Sequence, residues 1–124
     1  MKLLISILSM LVIISSGCVS VKKSFSLDYK TDGSAFHLSQ SCIENFIPKE
    51  NSNAIFIKIK NNTDCSEPFN LFWEKSIGKK VSVFFNGKPI FKDIYTVNKI
   101  HTEHGFNQAV ESNSILNEIV NTLN

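Results

Sequence analysis

The chain is 124 residues long, 43% hydrophobic, with 13 basic against 11 acidic side chains and a formal net charge of +2. Every basic residue is Lys and none is Arg, so the chain lacks both a strong positive field and the bidentate guanidinium forks that phosphate and base recognition favour. Nucleic-acid binding is thereby disfavoured, and the length suits one compact domain with one core rather than two.

The head of the chain places Lys2 before an apolar run from Leu3 to Ile14 and a patch of small residues. This predicts a secretory signal peptide over residues 1–17, since the apolar run is too short to span a bilayer. Ile14-Ser15-Ser16-Gly17-Cys18 resembles a bacterial lipobox, in which the cysteine is lipidated and becomes the first mature residue. Ser15 departs from the commoner Leu at its position. The resemblance implies a protein held firmly to a membrane by several acyl chains on Cys18, palmitate among them. Val19 after that cysteine, rather than Asp, implies by resemblance to lipoproteins of two-membrane envelopes the outer membrane, facing the periplasm; in a host with a single membrane the same anchor holds the protein outside that membrane. Removal of the signal leaves 124 − 17 = 107 residues. Residues 18–24 read as a tether and 25–124 as a single domain, and no second long apolar stretch offers another membrane attachment.

With Cys18 assigned to lipid, Cys42 and Cys65 form an even pair in an exported domain, which reads as a disulfide. Closing a loop of that length stabilises by about 3 kcal/mol in the chain-entropy model. The alternative is a pair of buried thiols, and no CxxC spacing or neighbouring His suggests redox catalysis.

Phe25 to Tyr29 alternates weakly, Thr31-Asp32-Gly33-Ser34 reads as a turn, and Ala35 to Leu38 as a short strand. Ser39 or Ser41 then caps a brief helix through Phe46, with Ile43, Phe46 and Ile47 on one face, ending before Pro48. Lys49 to Asn53 is polar loop. Ala54 to Lys60 is a strand with Ile55, Ile57 and Ile59 on one face and Phe56, Lys58 and Lys60 on the other. Asn61 to Cys65 turns the chain into a helix capped by Ser66, with Glu67 and Pro68 in its first turn. Phe69, Phe72, Trp73, Ser76 and Ile77 form its apolar stripe, and Gly78 ends it.

The stretch KKVSVFFNGKPIFKDI, Lys79 to Ile94, reads as a hairpin turning at Asn86-Gly87, because both residues accept the positive φ of a type I′ turn. That turn sets Phe85 opposite Lys88, Val83 opposite Ile90 and Lys80 opposite Asp93. Val81, Val83 and Phe85 share one face, and Ser82 and Phe84 the other. A bulge or bend before Tyr95 precedes more strand to Ile100, a polar connection from His101 to Gly105, and a short strand from Phe106 to Val110. Ser112 or Asn113 caps a last helix with Ile115, Leu116, Ile119, Val120 and Leu123 on its apolar face. The predicted class is α+β: a mixed or antiparallel sheet with the Asn-Gly hairpin at its centre and two to three helices packed on one face.

Several of these elements together resemble the periplasmic head subdomain of SecD, a subunit of the bacterial protein-export machinery. That family has a strand, a helix ending in Gly-Lys, a strand of alternating aliphatics, an Asp-Gly-Lys type turn, a second strand, and a Gly-aromatic step into a terminal helix. The matching residues are Ile55 to Ile59, Gly78-Lys79, Val81 to Phe85, Asn86-Gly87-Lys88, Ile90, Gly105-Phe106 and the helix ending at Leu123-Asn124. The resemblance implies a SecD-head-like fold from about Ala35 onward. Phe91-Lys92-Asp93 replaces the family's Ser-Ala-Pro, and the transmembrane helices that couple SecD to export are absent, so it implies a fold rather than a motor.

His101, Glu103 and His104 are the clustered metal-ligand types, but they lack the helical HEXXH spacing and sit in a loop flanked by Lys99 and Gly105. His37 stands alone. No Gly-rich phosphate loop and no GxSxG elbow occur, which argues against an enzyme and against a cofactor. The second sheet face would gather Phe56, Phe84 and Phe91 beside Lys58, Lys60 and Lys80 if their strands were neighbours, unless the Tyr29 region or a loop covers it. The sequence therefore points to a lipid-anchored, non-enzymatic envelope protein binding a protein or peptide through Phe56, Phe84, Phe91 and Lys58 or a free strand edge. The alternative is a small-molecule or metal-binding lipoprotein using the loop from His101 to His104.

Overall fold

The computed structural model describes residues 24–96 and 102–124. The signal peptide, Cys18, Val19 and nearly all of the tether lie outside the described residues, as do His101 and the strand continuation expected over residues 97–100.

β1 (Leu27–Thr31) and β2 (Ser34–Leu38) pair antiparallel around Asp32-Gly33, where Gly33 takes φ 81. β5 (Lys80–Phe85) pairs with the other side of β1, and β6 (Lys88–Tyr95) with β5, giving an antiparallel sheet of order β2-β1-β5-β6. A second antiparallel sheet, β3-β4-β7, consists of Ile43–Lys49, Ala54–Ile59 and Phe106–Ala109. The architecture is α+β, with two sheets in place of the expected one and two α-helices, α1 (Ser66–Lys75) and α2 (Asn113–Leu123).

The second sheet exists because the segment read as a brief helix is strand β3. Only a 3-10 turn, Gln40–Cys42, precedes it. Its register on β4 slips by one residue between Ile43 and Asn45, so Glu44 is the extra residue of a bulge. The bulge brings both Ile43 and Phe46 against the core, at a spacing of three that imitates a helix. Pro48 is tolerated because β3 is an edge strand.

β5 and β6 are joined through Asn86 and Gly87, with φ 50 and 80, and Phe85 lies opposite Lys88. Beyond Phe84 and Pro89 the expected register fails: Val83 meets Phe91 rather than Ile90, and Lys80 meets Tyr95 rather than Asp93. β6 gains a residue on β5 at Ile90, next to a proline with no N–H, and another where Lys92 and Asp93 face Ser82. Asp93 adopts φ 55 there and its N–H donates to Ser82 Oγ at 3.0 Å. The pair occupies one side of its sheet, with β6 at the edge.

Asn62 holds the start of α1: its Oδ1 accepts from the N–H groups of Asp64 (3.0 Å) and Cys65 (2.7 Å). Ser66, expected as the cap, donates its hydroxyl to the Asn62 carbonyl instead, at 3.0 Å. Phe69, Phe72 and Trp73 are buried and Ser76 is buried just beyond the helix, whereas Ile77, expected in the same stripe, is 45% exposed. Phe69 bridges the layers, with its ring 5.3 Å from Tyr29 and 5.5 Å from Phe36 in one sheet and 5.5 Å from Phe106 in the other. Tyr29 thus belongs to the core and covers no outer face. Ser112 caps α2, its Oγ accepting from the Ile115 N–H at 3.2 Å, and Leu116 and Ile119 are buried. Both sheets and both helices share one core.

Cys42 and Cys65 are joined as a disulfide across a sequence separation of 23, with Cα atoms 5.3 Å apart. It ties the start of β3 to the start of α1.

Candidate functional site

Alternation on β1 and β5 sends Leu27, Tyr29, Val81, Val83 and Phe85 into the core, so Asp28, Lys30, Lys80, Ser82 and Phe84 project from the opposite side of the sheet. Lys30 and Ser82 are direct cross-strand neighbours, as are Asp28 and Phe84. This geometry carries the Lys30 ammonium over the Phe84 ring, 4.7 Å from its centroid. A cleft of about 580 Å³ opens on this face, walled by Lys30, Lys80, Ser82, Phe84 and Tyr95 and continued by Asp32, Gly78, Lys79 and Asp93. Tyr95 is 59% exposed. Among the described residues, none of Lys30, Lys79 and Lys80 forms an ion pair with a carboxylate. The site can therefore offer two aromatic surfaces and the ammonium groups of Lys79 and Lys80 to an extended ligand, with Lys30 already over the Phe84 ring.

A polar clasp borders the cleft. Asp28 accepts from Ser26 Oγ at 2.9 Å and lies 2.8 Å from His37 Nδ1, across the β1–β2 pair. Partial burial pushes the Asp28 carboxyl up, but the His37 and Ser26 hydrogen bonds, with the charges of His37 and Lys30, outweigh it and hold the carboxyl below its ordinary 3.8. His37 is thus engaged rather than isolated.

The expected cluster of phenylalanines does not form. Phe84 and Lys80 share the cleft, but Phe91 lies one bulge further along β6, opposite Val83, and does not line it. Phe56 and Lys58 are on β4, in the other sheet. There the Phe56 ring lies over Gly105, with Lys49 Nζ 5.3 Å from its centroid, and Lys58 pairs with Glu44 at 3.4 Å. The sequence places these residues on outward strand positions correctly; what separates them is the division into two sheets. Lys30 and Tyr95 complete the cleft and were not expected in it. The signal for Lys30 is its place next to the inward Tyr29 on a weakly alternating strand.

Strand edges differ as well. The outer edge of β6 is closed by Glu111, whose N–H donates to the Ile90 carbonyl and whose Oε1 accepts from the Lys92 N–H, both at 2.9 Å. No strand pairs with the outer side of β2 among the described residues.

Glu103 and His104 are exposed, while Thr102 between them and His101 is buried and donates to Asn70 Oδ1 at 3.0 Å. Among the described residues no three His, Cys, Asp or Glu side chains gather as metal ligands. No protein-family model, curated protein or solved structure matches the chain.

Proposed function

We propose that the protein is a non-enzymatic, lipid-anchored envelope protein that recognises a protein or peptide partner on the outward face of the β2-β1-β5-β6 sheet. The observation that carries this reading is the cleft around Phe84, where an aromatic floor, an exposed Tyr95 and lysines without a carboxylate partner among the described residues stand together. An extended partner segment could also add to β2, whose outer side has no paired strand among the described residues. Anchoring rests on the signal-like residues 1–17 and on Cys18, and Val19 directs the protein to the outer membrane, facing the periplasm. The order β4, α1, β5, β6, β7, α2 supports relating the domain to the SecD head, as a fold and without the export motor.

The test is recovery of partners from detergent-solubilised envelopes with the wild type, Phe84→Ser and Lys30→Glu, alongside palmitate incorporation into wild type and Cys18→Ser. The reading expects a partner retained by wild type and lost from both cleft variants at unchanged melting temperature, with label absent from Cys18→Ser. Equal recovery by all three baits sinks the surface assignment, and label that persists on Cys18→Ser sinks the anchor.

A further inference from the structure

At Phe25 the chain enters one end of the four-stranded sheet and is fastened there. Ser26 and Asn86 exchange two hydrogen bonds, the Ser26 N–H donating to Asn86 Oδ1 and the Asn86 N–H to the Ser26 carbonyl, both at 2.8 Å. The Phe25 N–H donates to Gln40 Oε1 at 3.0 Å, and the Phe25 ring centroid lies 4.6 Å from that of Phe46 and 5.5 Å from that of the buried Phe85. The point of entry is thus held by the β5–β6 turn, the 3-10 turn and β3. Leu123, in the last turn of α2, stands at the same end. The lysine cleft opens toward the other end. Antiparallel pairing sets Leu27 beside Phe85, whereas Asp32, Lys80 and Tyr95 stand where β1 and β6 finish and β5 starts. β1, Leu27–Thr31, separates the two ends by about 15–20 Å at roughly 3.3 Å per residue.

We propose that the Phe25 end of the domain rests on the bilayer that holds the Cys18 lipid, with the lysine cleft opening on the far side, toward solution. The inference rests on the anchor proposed above and adds the surface that meets the membrane. Residues 18–24 span at most roughly 25 Å however they run, so Phe25 stays within that reach of the acylated cysteine. Laying the Asp32 end on the bilayer instead would need those residues to run back nearly fully extended along the length of β1, giving up most of their conformational freedom. The groups at the near end suit headgroups: Phe25 and Leu123 are half-buried apolar side chains, and the exposed Asn86, Asn121 and Thr122 are polar without charge. Of the charges along it, exposed Lys88 and Glu118 offset each other and Glu44 is already paired with Lys58 at 3.4 Å. Lys22 and Lys23, directly before Ser24 in the sequence, bring positive charge to an anionic surface. The partner of the cleft therefore arrives from the aqueous side, and the headgroups of the same membrane are out of the cleft's reach.

The experiment uses the mature acylated protein in vesicles of phosphatidylethanolamine and phosphatidylglycerol, with a nitroxide quencher on a fraction of the headgroups. Acylation occupies Cys18 and the disulfide occupies Cys42 and Cys65, so a fluorophore goes onto one new cysteine at a time. Lys88→Cys and Asn121→Cys report on the near end, Asp32→Cys and Lys79→Cys on the cleft, and all four positions are exposed. Strong quenching is expected at the two near positions and little at the two cleft positions. Equal quenching at both ends, stronger quenching at the cleft, or none at either end in protein that floats with the vesicles overturns the orientation and leaves the anchor standing. Protein that fails to float removes the anchor and the orientation together.

Discussion

The outward faces of the two sheets carry the same residue types and put them to opposite uses. On the three-stranded sheet Phe56 rests on the backbone of Gly105 and Lys58 is paired with Glu44, so ring and ammonium are both committed to the fold. On the four-stranded sheet Phe84 lies under the Lys30 ammonium, and the lysines beside it have no carboxylate partner among the described residues. An aromatic flanked by lysine on an outward strand position therefore does not mark a site. What distinguishes the two rings is the backbone of Gly105 packed against Phe56.

If that contrast holds, damage on the three-stranded side costs stability and damage on the four-stranded side costs binding. The largest effect should follow loss of the disulfide. Replacing Cys42 and Cys65 by Ser should cost about 3 kcal/mol in urea unfolding. Hydrogen exchange should accelerate first in β3 and the start of α1, which the bridge joins; uniform acceleration across both sheets would erase the distinction.

Gly105 comes next. It adopts φ 90, and a Cβ there would fall on the Phe56 ring and 3.2 Å from the Ile57 carbonyl oxygen. Gly105→Ala should destabilise by about 2 kcal/mol, combining backbone strain with the clash. Adding Phe56→Ala should return part of the clash and none of the strain, so the double variant should be more stable than the sum of the single changes predicts. Simple additivity would mean that the ring does not cover Gly105 in solution.

A more direct comparison sets Phe56→Ser against Phe84→Ser. The first removes a ring packed on backbone and should cost about 1–2 kcal/mol; the second loses little beyond an exposed cation–π contact of about 0.5–1 kcal/mol. Equal costs in thermal or urea unfolding would place Phe84 in the fold and remove the reason for treating its face as free.

The same contrast explains what was legible in the sequence. β4, with isoleucines at every second position, and α2, with a clean apolar stripe and a Ser cap, contain no irregularity, and their periods survive into the structure. The Asn86-Gly87 turn is equally local. β3 and β6 are bulged, and each bulge changes which face a residue takes, so β3 imitates a helix and the hairpin register drifts two residues by Lys80. Pairing between strands far apart in sequence then decides which outward residues are neighbours. No local pattern reports that β4 and β5 belong to different sheets, so outward alternation alone groups Phe56 and Lys58 with Phe84.

The smallest effect concerns the clasp beside the cleft and separates its role from that of the lysines. Because the folded protein holds the Asp28 carboxyl below 3.8, it binds fewer protons at that site than the unfolded chain does. The resulting stabilisation is fully present above about pH 5 and declines as the pH falls through 3.8 toward the lowered folded value. Asp28→Asn keeps the shape and removes the titration. Its stability deficit, less than about 1 kcal/mol for so accessible a pair, should be constant at neutral pH and shrink below pH 4. His37→Gln should shrink the wild-type acid dependence too, since it removes the hydrogen bond and charge that lower the carboxyl most directly. Both changes leave Lys30, Lys80, Phe84 and Tyr95 in place, and although Asp28→Asn removes a charge that acts on Lys30, partner retention on the cleft should survive both. A clasp variant that keeps its stability but loses the partner would move the binding surface from the Phe84 cleft to the β1–β2 side of the same sheet.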